Sequence, residues 1–203
     1  MSSDDGPVPF GFKCSWLAIR DVAPEKIIAA LPVRGARPSG WAEGVETAYE
    51  GGVFVTPPIG RWVLVASTDL PDFGDAEHPD QITALIVRLS RELETGVQYF
   101  GTHRVVEYHA WAWAEHGEVL RAYAYIGESG TTITDVGTKT APEEGFELFD
   151  ERSPEAADDG YWEREDLRHA TEELVMEIAG AWSVDPTTID EQPIAGRGWV
   201  GSR

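Results

Sequence analysis

The stretch EYHAWAWAEHGEVLRAYAYI, Glu107 to Ile126, decides how this chain is read. Two runs of alternating large and small residues flank His116–Gly117, the composition of two antiparallel strands joined by a tight turn. Side chains alternate across a strand, so each run has two faces. In the first run Glu107, His109, Trp111 and Trp113 share one face, and Tyr108, Ala110, Ala112 and Ala114 share the other. In the second, Arg121, Tyr123 and Tyr125 oppose Leu120, Ala122, Ala124 and Ile126. A two- or four-residue loop pairs Trp111 with Ala122 and Trp113 with Leu120, setting large against small, and this is the expected register. It gathers Tyr108, Arg121, Tyr123 and Tyr125 over a carpet of alanines, with room for a flat ligand or a partner surface. A three-residue loop would instead bring Trp111 beside Tyr123 and Arg121 in one crowded aromatic wall.

Upstream, FKCSWLAIR (Phe12–Arg20) is a near-continuous apolar run and reads as a buried strand. A short helix follows, opened by Pro24 and Glu25 and stopped by Pro32. Val33–Gly44, rich in Gly, Pro and Arg, reads as an exposed loop. Two strands, Gly52–Thr56 and Trp62–Ser67, flank a Pro-Pro-Ile-Gly turn. The loop Thr68–Asp80 suits the rim of a pocket. Ile82, Leu85, Ile86, Leu89 and Leu93 then fall on one helical stripe. Past the meander of strands, residues 141–164 read as a long irregular acidic segment. A second amphipathic helix is expected from Glu163 to Trp182, with Leu167, Ala170, Leu174 and Ile178 on one face.

The pattern predicts one α+β domain over residues 1–203. Its mainly antiparallel sheet carries helices on one face, with a ferredoxin-like βαββαβ start extended by a β-meander and a C-terminal helix. Residues 1–9 and the Gly-rich 195–203 read as flexible ends. Such a fold decides no function by itself.

Composition narrows the classes. The formal charge is −20, and residues 141–203 hold 17 acids against 5 bases. That field repels nucleic acid and anionic lipid and draws a basic partner. A single cysteine, Cys14, fits a reducing cytoplasm. The N-terminus shows no secretory signal pattern, and no apolar run approaches the ~20 residues a membrane span needs. The organisation suits a small bacterial-type accessory domain.

Chemistry-bearing candidates are few. Glu107 and His109 lie about 7 Å apart along one strand face and could form an acid–base pair at the end of an apolar floor. His103 lies about 20 Å from His109 along the same strand, too far for a shared ion, so no metal site is expected. Cys14, inside a buried strand, reads as a small hydrophobe. Nothing calls for a cofactor: phosphate-loop, Gly-x-Ser-x-Gly, His-Glu-x-x-His and Cys-x-x-Cys patterns are absent from the sequence. The tract Glu143–Glu177 interleaves 14 acids with Phe146, Phe149, Tyr161 and Trp162, the composition of a hot spot for a cationic protein. The leading expectation is therefore a non-catalytic acidic binding protein that neutralises or chaperones a basic protein, in the manner of an immunity or antitoxin factor. The second is a small-molecule enzyme or ligand-binding domain, using Glu107 and His109 in a pocket on the aromatic hairpin.

Overall fold

The computed structural model describes residues 6–74, 77–191 and 193–203. The chain runs β1 (Ser15–Arg20), α1 (Pro24–Ala30), β2 (Arg34–Ser39), α2 (Trp41–Tyr49), β3 (Val53–Val55), β4 (Trp62–Ser67) and α3 (Gln81–Glu92). The meander follows as β5 (Val97–His103), β6 (Tyr108–Glu115), β7 (Glu118–Ile126) and β8 (Thr131–Gly137). After a long segment holding the two-residue strands β9 (Glu147–Leu148) and β10 (Leu167–Arg168) come α4 (Glu172–Trp182) and β11 (Gly198–Ser202). Among the described residues, nine strands form one antiparallel sheet in the order β2-β11-β3-β4-β1-β5-β6-β7-β8. No helix among the described residues is long and apolar enough to cross a membrane.

β1 explains the layering. Trp16 and Ala18 point into one core, and Leu17 and Ile19 into another. A strand apolar on both faces needs cover on both. Ile27 of α1 and Ile82, Ile86 and Leu89 of α3 cover one side. Trp41 of α2 and Leu174, Val175 and Ile178 of α4 cover the other. The expectation of helices on one face is thus corrected: they flank the sheet.

Three further expectations change. Val33–Gly44 is not an exposed loop but supplies β2 and the start of α2. Pro38 is tolerated there because β2 is an edge strand, where a missing N–H leaves no ladder bond unmade. Residues 195–203 are not a loose tail, since Trp199 and Val200 pair with β3 on one side and β2 on the other. The glycines serve close packing, because a Cβ on Gly198 would lie 2.4 Å from Phe54 Cε2. At the other end, Val8 packs on the core and Phe10 N–H donates to Pro186 O at 3.1 Å; residues 1–5 of the expected flexible start lie outside the described residues. Finally, α4 begins at Glu172 rather than Glu163, where the Thr171 side chain accepts from Leu174 N–H at 3.2 Å. Leu167 and Ala170 belong to the segment in front of it.

The hairpin takes the register the sequence disfavours. His116 and Gly117 (φ 51° and 82°) make a two-residue turn of the type that matches strand twist. Glu115 therefore pairs with Glu118, and Ala114 with Val119. Leu120 is then bulged out, so Trp113 pairs with Arg121 and Trp111 with Tyr123. Trp111, Arg121, Tyr123 and Tyr125 land on one face, with Tyr108 on the other. That second face is otherwise mostly alanine, which lets α3 approach closely.

Because β11 fills a gap between two strands, deleting residues 196–203 is expected to cost several kcal/mol, about 3 or more, in chemical denaturation. Unchanged stability would show that the tail is dispensable.

Candidate functional site

Arg121 organises the aromatic face. Trp111 and Tyr123 stack with ring centroids 4.5 Å apart, and Arg121 lies beside them with no exposed surface. A buried guanidinium needs a partner. Glu143, also fully buried, supplies it. Its Oε1 accepts from Arg121 Nε at 2.8 Å and from Trp111 Nε1 at 3.0 Å, and Arg121 Nη2 stands 2.7 Å away. Its Oε2 accepts from Thr140 N–H at 3.0 Å and Thr140 Oγ1 at 2.7 Å. Burial alone would raise this carboxyl, but the Arg121 and Thr140 donors outweigh it and hold it below its usual range. Asp135 completes the Arg121 shell.

This network pins the acidic segment over the Tyr–Arg row, so the row is no open binding surface. Arg121, Tyr123 and Tyr125 are buried. Tyr108 is buried on the opposite face, separated from them by the register shift. Phe149 and Tyr161 are buried too and Phe146 is partly covered, which makes them anchors of the segment to the core. Of the four aromatics in the acidic tract only Trp162 is exposed, at 55%.

Glu107 and His109 sit in different settings. Glu107 sits exposed in the turn before β6 with a left-handed backbone (φ 51°). His109 is 5% exposed and shares a 3.2 Å hydrogen bond with Thr102 Oγ1. Thr102 Oγ1 in turn lies 3.2 Å from Glu172 Oε1, and Glu172 pairs with Arg104 at 2.8 Å. Burial lowers the His109 pKa, and the carboxylates of Glu172, Glu107 and Glu173 only partly oppose it. The imidazole is thus neutral at neutral pH and reads as a core polar group. Burial pushes the Cys14 thiol up to about 12, which leaves it a neutral wall residue and no nucleophile. No group of three or more His, Cys, Asp or Glu among the described residues is placed to hold a metal ion.

Two surfaces remain. The outer side of the acidic segment carries shallow hollows lined by Glu147, Asp150, Glu155, Asp158 and Arg164 around Tyr161. Trp162 stands beside them, its ring 5.9 Å from Tyr161 and its indole N–H bonded to Ala156 O at 3.0 Å. Separately, a cavity of about 570 Å³ opens at the end of the sheet between Ser15, Asp72, Tyr108 and Ile126. Thr68, Leu70, Asp72 and Gly74 of the expected rim loop line it, but the hairpin contributes only its ends. Ser15 and Asp72 were not singled out by sequence; a serine opening an apolar strand is the one available hint. Comparison with known proteins adds no identity, since no protein-family model, curated protein or solved structure matches this chain.

His109 has its folded pKa below the unfolded value near 6.5, so the unfolded chain binds the extra proton. Its contribution to stability is complete above that value and is lost as pH falls through it toward the folded pKa. Between about pH 7.5 and 5.5 the wild-type melting temperature is expected to fall more steeply than that of His109→Asn. Parallel slopes in the two proteins would contradict a buried neutral imidazole.

Proposed function

We propose that this is a non-catalytic binding protein that docks a cationic segment of a partner protein on the outer surface of residues 147–166, as a neutralising or chaperoning factor does. One observation carries the reading: Trp162 is exposed yet held, its N–H bonded and its ring braced on Phe149 and Tyr161, at the edge of hollows walled by carboxylates. A pre-oriented indole offers a face for stacking or for a cation at little entropic cost. The surrounding carboxylates complement a positive charge, and the overall −20 accelerates its approach. The site already accommodates such chemistry, since the Arg164 guanidinium lies 5.8 Å over the Tyr161 ring. Within the fold, we read the β3-β4-β1-β5 core with α1 and α3 as a ferredoxin-like unit into which β2 and α2 are inserted. Its antiparallel order supports that reading.

A nona-arginine peptide tests the docking face against generic charge. Trp162→Ala and the pair Glu155→Gln/Asp158→Asn are each expected to weaken binding about tenfold. Glu46→Gln/Glu50→Gln, which removes one acid from α2 and one from its C-cap, is expected to change it less than about twofold, and added salt to weaken the wild type. Equal losses from both acid pairs, with no effect of Trp162→Ala, would reduce the interaction to net charge.

A further inference from the structure

The cavity at the sheet end is independent of that docking face and is built differently. At about 570 Å³ it lies in the size range of small-molecule sites. Its floor is a chain of hydroxyls, those of Tyr99 and Tyr108 buried and that of Ser15 half-buried. Phe73 N–H donates to Tyr108 Oη at 3.1 Å, Tyr108 Oη lies 3.2 Å from Tyr99 Oη, and Tyr99 Oη lies 3.1 Å from Ser15 Oγ. The approach is close because Gly101 has no side chain: a Cβ there would stand 2.6 Å from Tyr99 Oη and 2.9 Å from Ser15 Oγ.

A peptide N–H only donates, and each hydroxyl has one proton to give. In each hydroxyl pair either oxygen can be the donor. When Tyr108 donates to Tyr99 and Tyr99 to Ser15, the Ser15 proton is free to serve a ligand at the wall of the cavity. Each bond in such a series polarises the next, so Ser15 Oγ–H is a primed donor. Burial raises the phenols of Tyr99 and Tyr108, so both keep their protons and the chain stays intact through the neutral range. The group it addresses is a carbonyl or carboxylate oxygen. Lys13 lies on the same wall and adds positive charge.

Carboxylates line the same cavity, and Asp72 is near enough to Tyr99 and Tyr108 to act on them electrostatically. Asp72 sits against Ile126, since a Cβ on Gly74 would contact both, at 3.3 Å from Asp72 Oδ1 and 3.6 Å from Ile126 Cδ1. Glu128 lies next to it, its N–H donating to Val106 O. Only three hydrogen bonds in series link Ser15 to Phe73, the neighbour of Asp72. The Ser15 donor and the Asp72 and Glu128 carboxylates therefore line one small volume, to which Leu70, Val106 and Ile126 add apolar surface.

We propose that this cavity binds a small zwitterion of the amino-acid class with an apolar side chain. Its carboxylate would take the Ser15 proton and face Lys13, its ammonium would face Asp72 and Glu128, and its side chain would lie on Leu70, Val106 and Ile126.

Calorimetric titration of the full chain with L-leucine and its two one-charge relatives, 3-methylbutylamine and 4-methylpentanoate, tests this at fixed ionic strength. L-leucine is expected to bind at least about tenfold more tightly than either relative, because each relative leaves either the Ser15 donor or the carboxylates unpaired. Ser15→Ala and Asp72→Asn are each expected to weaken it about tenfold. Lys13→Met, on an exposed side chain, should weaken it severalfold with an unchanged melting temperature, which keeps the test valid if the Ser15 or Asp72 variant fails to fold. No heat with L-leucine up to roughly 10 mM, equal binding by a one-charge relative, or undiminished binding by Lys13→Met and Asp72→Asn would overturn the proposal.

Discussion

The buried pair Arg121–Glu143 is the interaction on which the rest of this architecture depends. Neither charge has exposed surface, and each would be prohibitively unfavourable alone in the core. Together, with Trp111, Thr140 and Asp135 completing their shells, they are nearly saturated with hydrogen bonds. The pair also joins two parts of the chain that otherwise meet through aromatic packing. Arg121 belongs to the hairpin, while Glu143 belongs to the irregular segment that crosses the aromatic face. Through Thr140, which also accepts from Trp182 Nε1 at 3.0 Å, the network reaches the end of α4. An acidic segment that composition alone would leave solvated is in this way made a lid on the core.

The bulge at Leu120 makes that pairing geometrically available. Without it Arg121 would lie on the alanine face, under α3, with no acid opposite. The single extra residue turns Arg121, Tyr123 and Tyr125 toward Trp111 and leaves alanines for α3 to pack on. Two cores of different character result. One is aromatic and polar-threaded, the other aliphatic and closely packed. With both sheet faces filled, the surfaces left for recognition lie at the margins: the outer side of the acidic segment and the open end of the sheet.

Much of the fold is legible locally. Pro24 opens α1, β4 spans the residues its apolar run marks, and the stripe from Ile82 to Leu89 forms the buried face of α3. The run SWLAIR is apolar without alternation, which calls for cover on both faces, and the expectation of helices on one face overlooked this. What local pattern hides is nonlocal. Nothing in HGEVLRAY distinguishes a bulge at Leu120 from a regular ladder, because the choice is made by the partner waiting for Arg121. Glu143 was masked by thirteen other acids in its tract, although Thr140-x-x-Glu143 is a capping-box spacing that marked it as held. Gly198 and Gly201 suggested mobility at a place where small size serves strand packing. The aromatics of the acidic tract divided the same way, with three anchoring inward and only Trp162 facing out.

A double-mutant cycle between Arg121→Met and Glu143→Leu, measured by chemical denaturation, addresses the central dependence. Each single change strands one buried charge and is expected to cost about 3–5 kcal/mol, whereas the double variant removes both charges. The expected coupling is about 2 kcal/mol or more, with the double variant more stable than at least one single variant. Additive losses would contradict the account and show that the segment is held over the sheet by its aromatic anchors alone.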